Sequence, residues 1–294
     1  MRFSVVLCVL AMLSGIILGG CNRPARVAVP IAGMEIDPEF GPTVEVTNFR
    51  GSVTVIADPR VKEAQVRSRV RSLDRRSGLD RAQLAERVHI TANSGVENGR
   101  RMLRVVSTST DGSEDVAADL VIRVARTEGV RVHNAGGPVE LVRINGPVSV
   151  VNGVGGSPGG DVTVRTGAAM TDPVSLTTTS GDVLFQAGPG TSGAFDIRTD
   201  NGEAQFYAKI GSVTGSRPEP GRYRGVLNRG ENPISLHTGA GTARVVVIEN
   251  SGTYGPDVWD GTPRWPQYPK PLGRLGGWHN EEPLFRRQQR GTAE

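Results

Sequence analysis

The chain is nearly free of cysteine. Its only two are Cys8 and Cys21, both at the amino-terminal end, so no disulfide framework can hold the rest together. That absence does not argue against export, because oxidising compartments permit disulfides without requiring them. Aromatic residues make up only 5% and long helix-forming runs are scarce, which disfavours a helical bundle. The four histidines, His89, His133, His237 and His279, are scattered and form no His-x-x-x-His pair, so no metal site is expected. No Gly-x-Ser-x-Gly nucleophile elbow occurs. Gly153-Val154-Gly155-Gly156-Ser157-Pro158 begins like a dinucleotide loop, but it has proline where the last glycine belongs and no helix pattern follows, so no nucleotide cofactor is expected. A net charge of +4 without a lysine-rich block gives no reason to expect a nucleic-acid partner.

Glycine (39) and proline (19) are abundant, the composition of short strands joined by tight turns. A phrase repeats: Gly160-Asp161-Val162-Thr163-Val164, Gly181-Asp182-Val183-Leu184-Phe185 and Gly202-Glu203-Ala204-Gln205-Phe206, with the glycines 21 residues apart each time. Looser copies begin at Gly51, Gly137 and Gly146. Short alternating pairs such as Val130/Val132, Val148/Val150 and Val245/Val247 recur up to Asn250. A strand this short cannot bury one face alone, whereas equivalent strands stacked in parallel at about 4.8 Å can share a continuous core. The expectation is an all-β fold, a right-handed parallel β-helix (β-solenoid), with coils of three short strands over residues 130–250.

The amino terminus reads as an export signal: Met1-Arg2 supplies charge, and Phe3 to Leu18 form an apolar run short for a permanent span. Leu18-Gly19-Gly20-Cys21 resembles the lipobox of bacterial lipoproteins, which implies acylation at Cys21 and a chain anchored to a membrane without spanning it. Asn22 is not the aspartate that marks inner-membrane retention in such lipoproteins, so the resemblance favours the outer membrane in a diderm organism. Residues 1–21 are thus the signal. Residues 22–42, with Pro24, Pro30, Pro38 and Pro42, read as a stalk.

Residues 43–250 form the body. Within it, residues 61–128 read as longer, partly antiparallel strands with polar turns at Asn98-Gly99 and Asp111-Gly112 and a short helix after Asp80. Between Arg60 and Arg104, twelve basic residues face five acidic ones. Two readings are open for Arg67, Arg69, Arg71, Arg75 and Arg76: a patch for anionic headgroups or an acidic polymer, or the solvated faces of amphipathic strands, which is favoured.

The phrase Val-x-Val-x-Asn/Thr-x-x-Gly-x-Val-x-Val, preceded by Asp119-Leu120-Val121-Ile122-Arg123-Val124, resembles a domain of unknown function described as a candidate adhesin in bacterial envelope proteins. The resemblance covers Thr43 to Asn250. It implies a β-helical, adhesin-like body in the cell envelope and brings no catalytic residues. Residues 251–294 are rich in proline and glycine and hold Trp259, Trp265 and Trp278, either a flexible tail over the end of the coils or a strip that stacks on sugars or protein. A non-catalytic binding or scaffold role follows, with an envelope polysaccharide or protein as partner. The alternative is a polysaccharide-active enzyme using Asp161 and Asp182 stacked on adjacent coils.

Overall fold

Val-x-Val segments dominate the secondary structure, and the alternation of apolar and polar positions sets their faces. The computed structural model describes residues 25–33, 39, 41–74, 79–112, 114–154, 156–166, 169–208, 210–230, 232–249 and 251–252. In chain order the elements begin with β1 (Ala25–Val29), β2 (Ile31–Gly33), β3 (Thr43–Asn48) and β4 (Val53–Ala57). There follow β5 (Gln65–Ser72), α1 (Arg81–Glu86), β6 (Val88–Glu97), β7 (Arg100–Ser109) and β8 (Val116–Val124). Next come β9 (Gly129–Asn134), β10 (Val139–Ile144), β11 (Val148–Asn152), β12 (Val162–Thr166), β13 (Val174–Thr178) and β14 (Val183–Ala187). The last six are β15 (Gly193–Asn201), β16 (Ala204–Ala208), β17 (Val213–Glu219), β18 (Arg222–Leu227), β19 (Pro233–Ala240) and β20 (Ala243–Val247).

These strands form two mixed sheets. One has nine strands in the order β1-β5-β8-β4-β10-β12-β14-β20-β16, the other eleven in the order β17-β18-β15-β19-β13-β11-β9-β3-β7-β6-β2. From β9 to β16 the chain alternates strictly, one strand to each sheet, and each strand from β9 to β14 pairs in parallel with the one two places on or back. Each repeat therefore contributes two strands, not the three expected from its length. A 21-residue step holds two five-residue strands, and the corners take up the remainder.

Alternate side chains make the core. In the eleven-stranded sheet one column runs Val44, Val130, Val148, Val174, Ile234 and Phe195, and the facing sheet answers with Val53, Val139, Val162, Val183 and Ala243. All are buried, and each valine contributes about 2 kcal/mol of apolar transfer energy. The isolated copy of the phrase at Gly51 is part of this stack, since β3 and β4 pair directly with β9 and β10. Glycine at the corner is a packing requirement as well as a dihedral one. Gly137 has φ 110°, and a Cβ added there would lie 2.5 Å from the Gly51 carbonyl oxygen of the neighbouring turn.

The regular 21-residue spacing misleads in one place. β20 inserts between β14 and β16, and β19 between β13 and β15, so the third phrase, from Gly202, does not stack on the second. Between the third phrase and β19 lies the β17–β18 hairpin, which extends the eleven-stranded sheet antiparallel to β15. Its Tyr223 stacks on Phe206, which in turn meets Phe195 edge-on, across the last turn.

The 61–128 section is antiparallel within itself: β5 pairs with β8, and β6 with β7 around Asn98 (φ 52°) and Gly99 (φ 75°). Helix α1 starts at Asp80, whose side chain caps Gln83 in a reciprocal capping box. The proline-bearing segment before the body is not a free stalk over its described part. β1 adds antiparallel to β5, and β2 adds parallel to β6.

Candidate functional site

The polar groups of the repeat belong first to structure. At the ends of the eleven-stranded sheet's strands, Ser107, Asn48, Asn134, Asn152, Thr178, Thr238 and Thr199 occupy one register position on seven neighbouring strands, and all are buried. Asn48 Nδ2 donates to Asn134 Oδ1 and Asn134 Nδ2 to Asn152 Oδ1, each at 3.0 Å, while Ser107 donates to Asn48. Asn134 also donates to the carbonyls of Gly51 and Gly137 at 3.2 and 3.1 Å. The threonines continue the pattern: Thr178 donates to Gly160 O, Thr238 to Gly181 O and Thr199 to Gly241 O. This ladder supplies the corner carbonyls that turning strands leave without sheet partners.

The corner aspartates do the same from the other side. Asp161 and Asp182 sit at neighbouring corners because β12 pairs with β14, but Asp161 Oδ1 accepts the Asp182 N–H at 2.9 Å and Asp182 Oδ1 accepts the Thr242 N–H at 2.7 Å. Glu203 does not follow Asp182 directly in the row. Thr242 holds the next place and Glu203 the one after it, because β20 lies between β14 and β16. Among the described residues no cluster of three His, Cys, Asp or Glu could hold a metal ion.

The basic section divides between the two sheets. On the eleven-stranded side Arg104 lies between Glu45 (2.9 Å) and Glu97 (3.1 Å), and Arg87, at the C-terminal cap of α1, pairs with Asp115 (2.8 Å) and Asp111 (3.8 Å). The Glu45 carboxylate holds the Arg104 guanidinium above its usual pKa. On the nine-stranded side, Val66, Ser68 and Val70 of β5 point inward, so Arg67, Arg69 and Arg71 project from the outer face. They stand opposite Val121, Asp119 and Ala117 of β8 respectively. Arg123 projects from the same face, opposite Gln65 and beside Ile56 of β4.

Arg143 joins this group through a backbone irregularity. The register of β10 slips between Val142 and Ile144, Arg143 takes φ 56°, and its Nε donates to the Ala57 carbonyl at 3.0 Å. The two acids here are both engaged. Asp119 accepts from Arg71 Nε at 3.0 Å and from the Ser52 N–H at 2.9 Å. Asp58 accepts from Arg60 Nε and Nη2 at 3.0 and 3.2 Å, and that hydrogen bonding, with Arg143 nearby, holds its carboxyl below the usual range. Burial lowers the Arg123 pKa, and the charges of Arg67, Arg60 and Arg143 lower it further against the pull of Asp58. Arg123 Nε and Nη2 and Arg143 Nη2 are enclosed and have no hydrogen-bond partner. Arg165 and Glu140, paired at 2.6 Å, bound the group on the β12 side.

Of the residues singled out from the sequence, Arg67, Arg69 and Arg71 are therefore brought together. Cys21, Arg75, Arg76, Trp259, Trp265 and Trp278 lie outside the described residues. Arg123 and Arg143 were missed. The first was readable from the alternation Leu120, Ile122, Val124, which turns Val121 and Arg123 outward. The second depends on a bulge that no alternation announces.

No family model and no curated protein matches the chain. Among solved structures it is similar to a candidate cell adhesion protein from Clostridium sporogenes, at TM-score 0.37 and 10% identity over 77% of this chain and 100% of that one. It is also similar to a candidate adhesin from Bacteroides fragilis, at TM-score 0.26 and 8% identity over 76% and 97% of the two chains. A candidate lipid binding protein from Parabacteroides distasonis gives TM-score 0.26 and 8% identity over 77% and 97%. At these scores the likeness carries no inference about this chain.

Proposed function

We propose that the chain is a lipid-anchored, non-catalytic protein of the cell envelope, an adhesin-like scaffold whose elongated body presents a binding surface to an envelope polysaccharide or protein. The body is read as a right-handed β-solenoid, with the two sheets as its walls. The observation that carries the non-catalytic reading is the engagement of the repeat's polar groups. Asp161 and Asp182, the carboxylates available for glycan cleavage, each accept a backbone N–H from the next turn, and the asparagine–threonine ladder is buried. The anchor reading rests on Leu18-Gly19-Gly20-Cys21, and Asn22 after it favours the outer membrane in a diderm organism.

Two measurements test this. Metabolic labelling with a palmitate analogue should mark the native protein and not the Cys21→Ser variant; label persisting in the variant sinks the anchor. Cross-linking in intact envelopes followed by purification of the full-length protein should recover a defined glycan or protein. Glycan cleavage that is present in the native protein and abolished in Asp161→Asn/Asp182→Asn would replace the scaffold reading with an enzymatic one.

A further inference from the structure

We propose that the outer face of the nine-stranded sheet over β5, β8, β4 and β10 docks on the phosphates of anionic lipids in the membrane that carries the chain. This rests on the anchor reading above and adds an orientation to it. The face gathers the guanidinium groups of Arg60, Arg67, Arg69, Arg71, Arg123 and Arg143 against three carboxylates, Asp58, Asp119 and Glu140, each already holding an arginine. A guanidinium offers paired N–H donors in a planar fork that matches two oxygens of a phosphate. Arg123 and Arg143 keep enclosed N–H groups with no acceptor, an arrangement that costs stability in the free protein and is relieved when a swing of the side chain brings an oxyanion within reach. Between them lie Ile56, Val121 and Val142, so the cations rise from an apolar floor that suits the boundary between headgroup and acyl chain.

The membrane is favoured as the source of the phosphate by where the chain enters the fold. β1 is the edge strand of this sheet, with Ala25 opposite Val70 and Val29 opposite Val66 of β5. Ala25 follows Cys21 by four residues, a reach of at most about 14 Å. A lipid on Cys21 therefore holds the arginine-bearing edge close to the bilayer, where each cation contributes roughly 1 kcal/mol of attraction to anionic headgroups. Among the described residues of β5, β8, β4 and β10, the outward positions carry no aromatic side chain to stack on a sugar.

The test uses the mature chain, residues 21–294 with Cys21→Ser, mixed with vesicles, so that binding through the face is measured apart from the apolar signal and from any acyl chain. On vesicles containing phosphatidylglycerol it should bind in a salt-dependent manner, and on phosphatidylcholine alone it should not. Arg123→Gln/Arg143→Gln should lower the affinity for the anionic vesicles about 25-fold, at about fivefold per cation. The charge-matched Arg104→Gln/Arg198→Gln, on β7 and β15 of the other sheet, should change it less than about twofold. Arg123→Lys/Arg143→Lys should restore part of the loss, and unchanged melting of each variant shows that folding is not the cause. Equal loss in both glutamine pairs, or none in the first, overturns the proposal. Displacement by inorganic phosphate at the concentration of vesicle phosphate would show a free-phosphate site and overturn the membrane assignment. Failure of palmitate labelling with vesicle binding intact removes the anchor and leaves the face.

Discussion

The two outer faces treat charge in opposite ways. On the eleven-stranded sheet Arg104 pairs with Glu45 and Glu97 of the flanking strands, Arg198 and Arg222 pair with Asp196, and His237 Nε2 lies 3.1 Å from Asp200. On the nine-stranded sheet the arginines of β5, β8 and β10 outnumber the acids beside them, and enclosed N–H groups remain without an acceptor. One chain with one repeat builds both faces. The fold therefore does not dictate the imbalance, since the inward columns are alike and only the outward residues differ. A face closed on itself is suited to stability; an open one is suited to a partner.

The largest effect should come from the inner edge of the closed side. Asn134→Ala removes the donor to the Gly51 and Gly137 carbonyls and the link between Asn48 and Asn152, all buried. A loss of about 3 kcal/mol is expected in urea denaturation. A loss below about 1 kcal/mol would mean that the ladder is not what holds the corners.

On the outer surface of the same sheet, Asp196 is held at a pKa of about 2 by hydrogen bonds from Arg198 and Arg222. Its folded value lies below the ordinary 3.8, so its contribution is fully present above about pH 4 and fades as pH falls through about 2. Asp196→Asn should cost about 1 kcal/mol at neutral pH after allowance for solvent screening, and should flatten the acid limb of the stability profile between about pH 4 and 2. An acid limb identical to that of the native chain would show that the cluster is not coupled to folding.

The open side should behave in the reverse sense. Arg123→Leu removes a half-buried guanidinium with unpartnered N–H groups and should leave stability unchanged or raise it by up to about 1 kcal/mol. Destabilisation of more than about 1 kcal/mol would show that this arginine is structural and would erase the contrast between the faces. The smallest effect is expected from Glu45→Gln, which breaks an exposed pair with Arg104 and should cost no more than about 0.5 kcal/mol in denaturation.

Much of the core was legible before the structure. The Val-x-Val pairs are the inward columns, Asn98-Gly99 is a hairpin turn and Asp80 a helix cap, because each follows from local chemistry that neighbouring turns do not overrule. The insertion of β20 beside β14 was not legible. Equal spacing from Gly160 to Gly202 implied direct stacking, whereas β19 and β20 carry the same alternation and the same corner Thr-Gly, and compete for the same edges. The number of strands per repeat was hidden for a similar reason, since spacing counts residues and not corners. Half of the candidate face was readable as alternating arginines on β5. The other half needed the parallel pairing of β8, β4 and β10 and the bulge at Arg143, which are tertiary facts.

The claim that one face meets the membrane and the other does not is tested most directly by reporting from equivalent outward positions on the two sheets. Thr54 lies on β4 among the arginines of the nine-stranded face, and Ser149 lies on β11 of the eleven-stranded face. With Cys21 acylated and a fluorophore placed on Thr54→Cys or Ser149→Cys, quenching by headgroup-labelled nitroxide lipids in anionic vesicles should be strong for the first and weak for the second. High salt should abolish the difference. Equal quenching at the two positions, or stronger quenching at Ser149→Cys, would contradict the account.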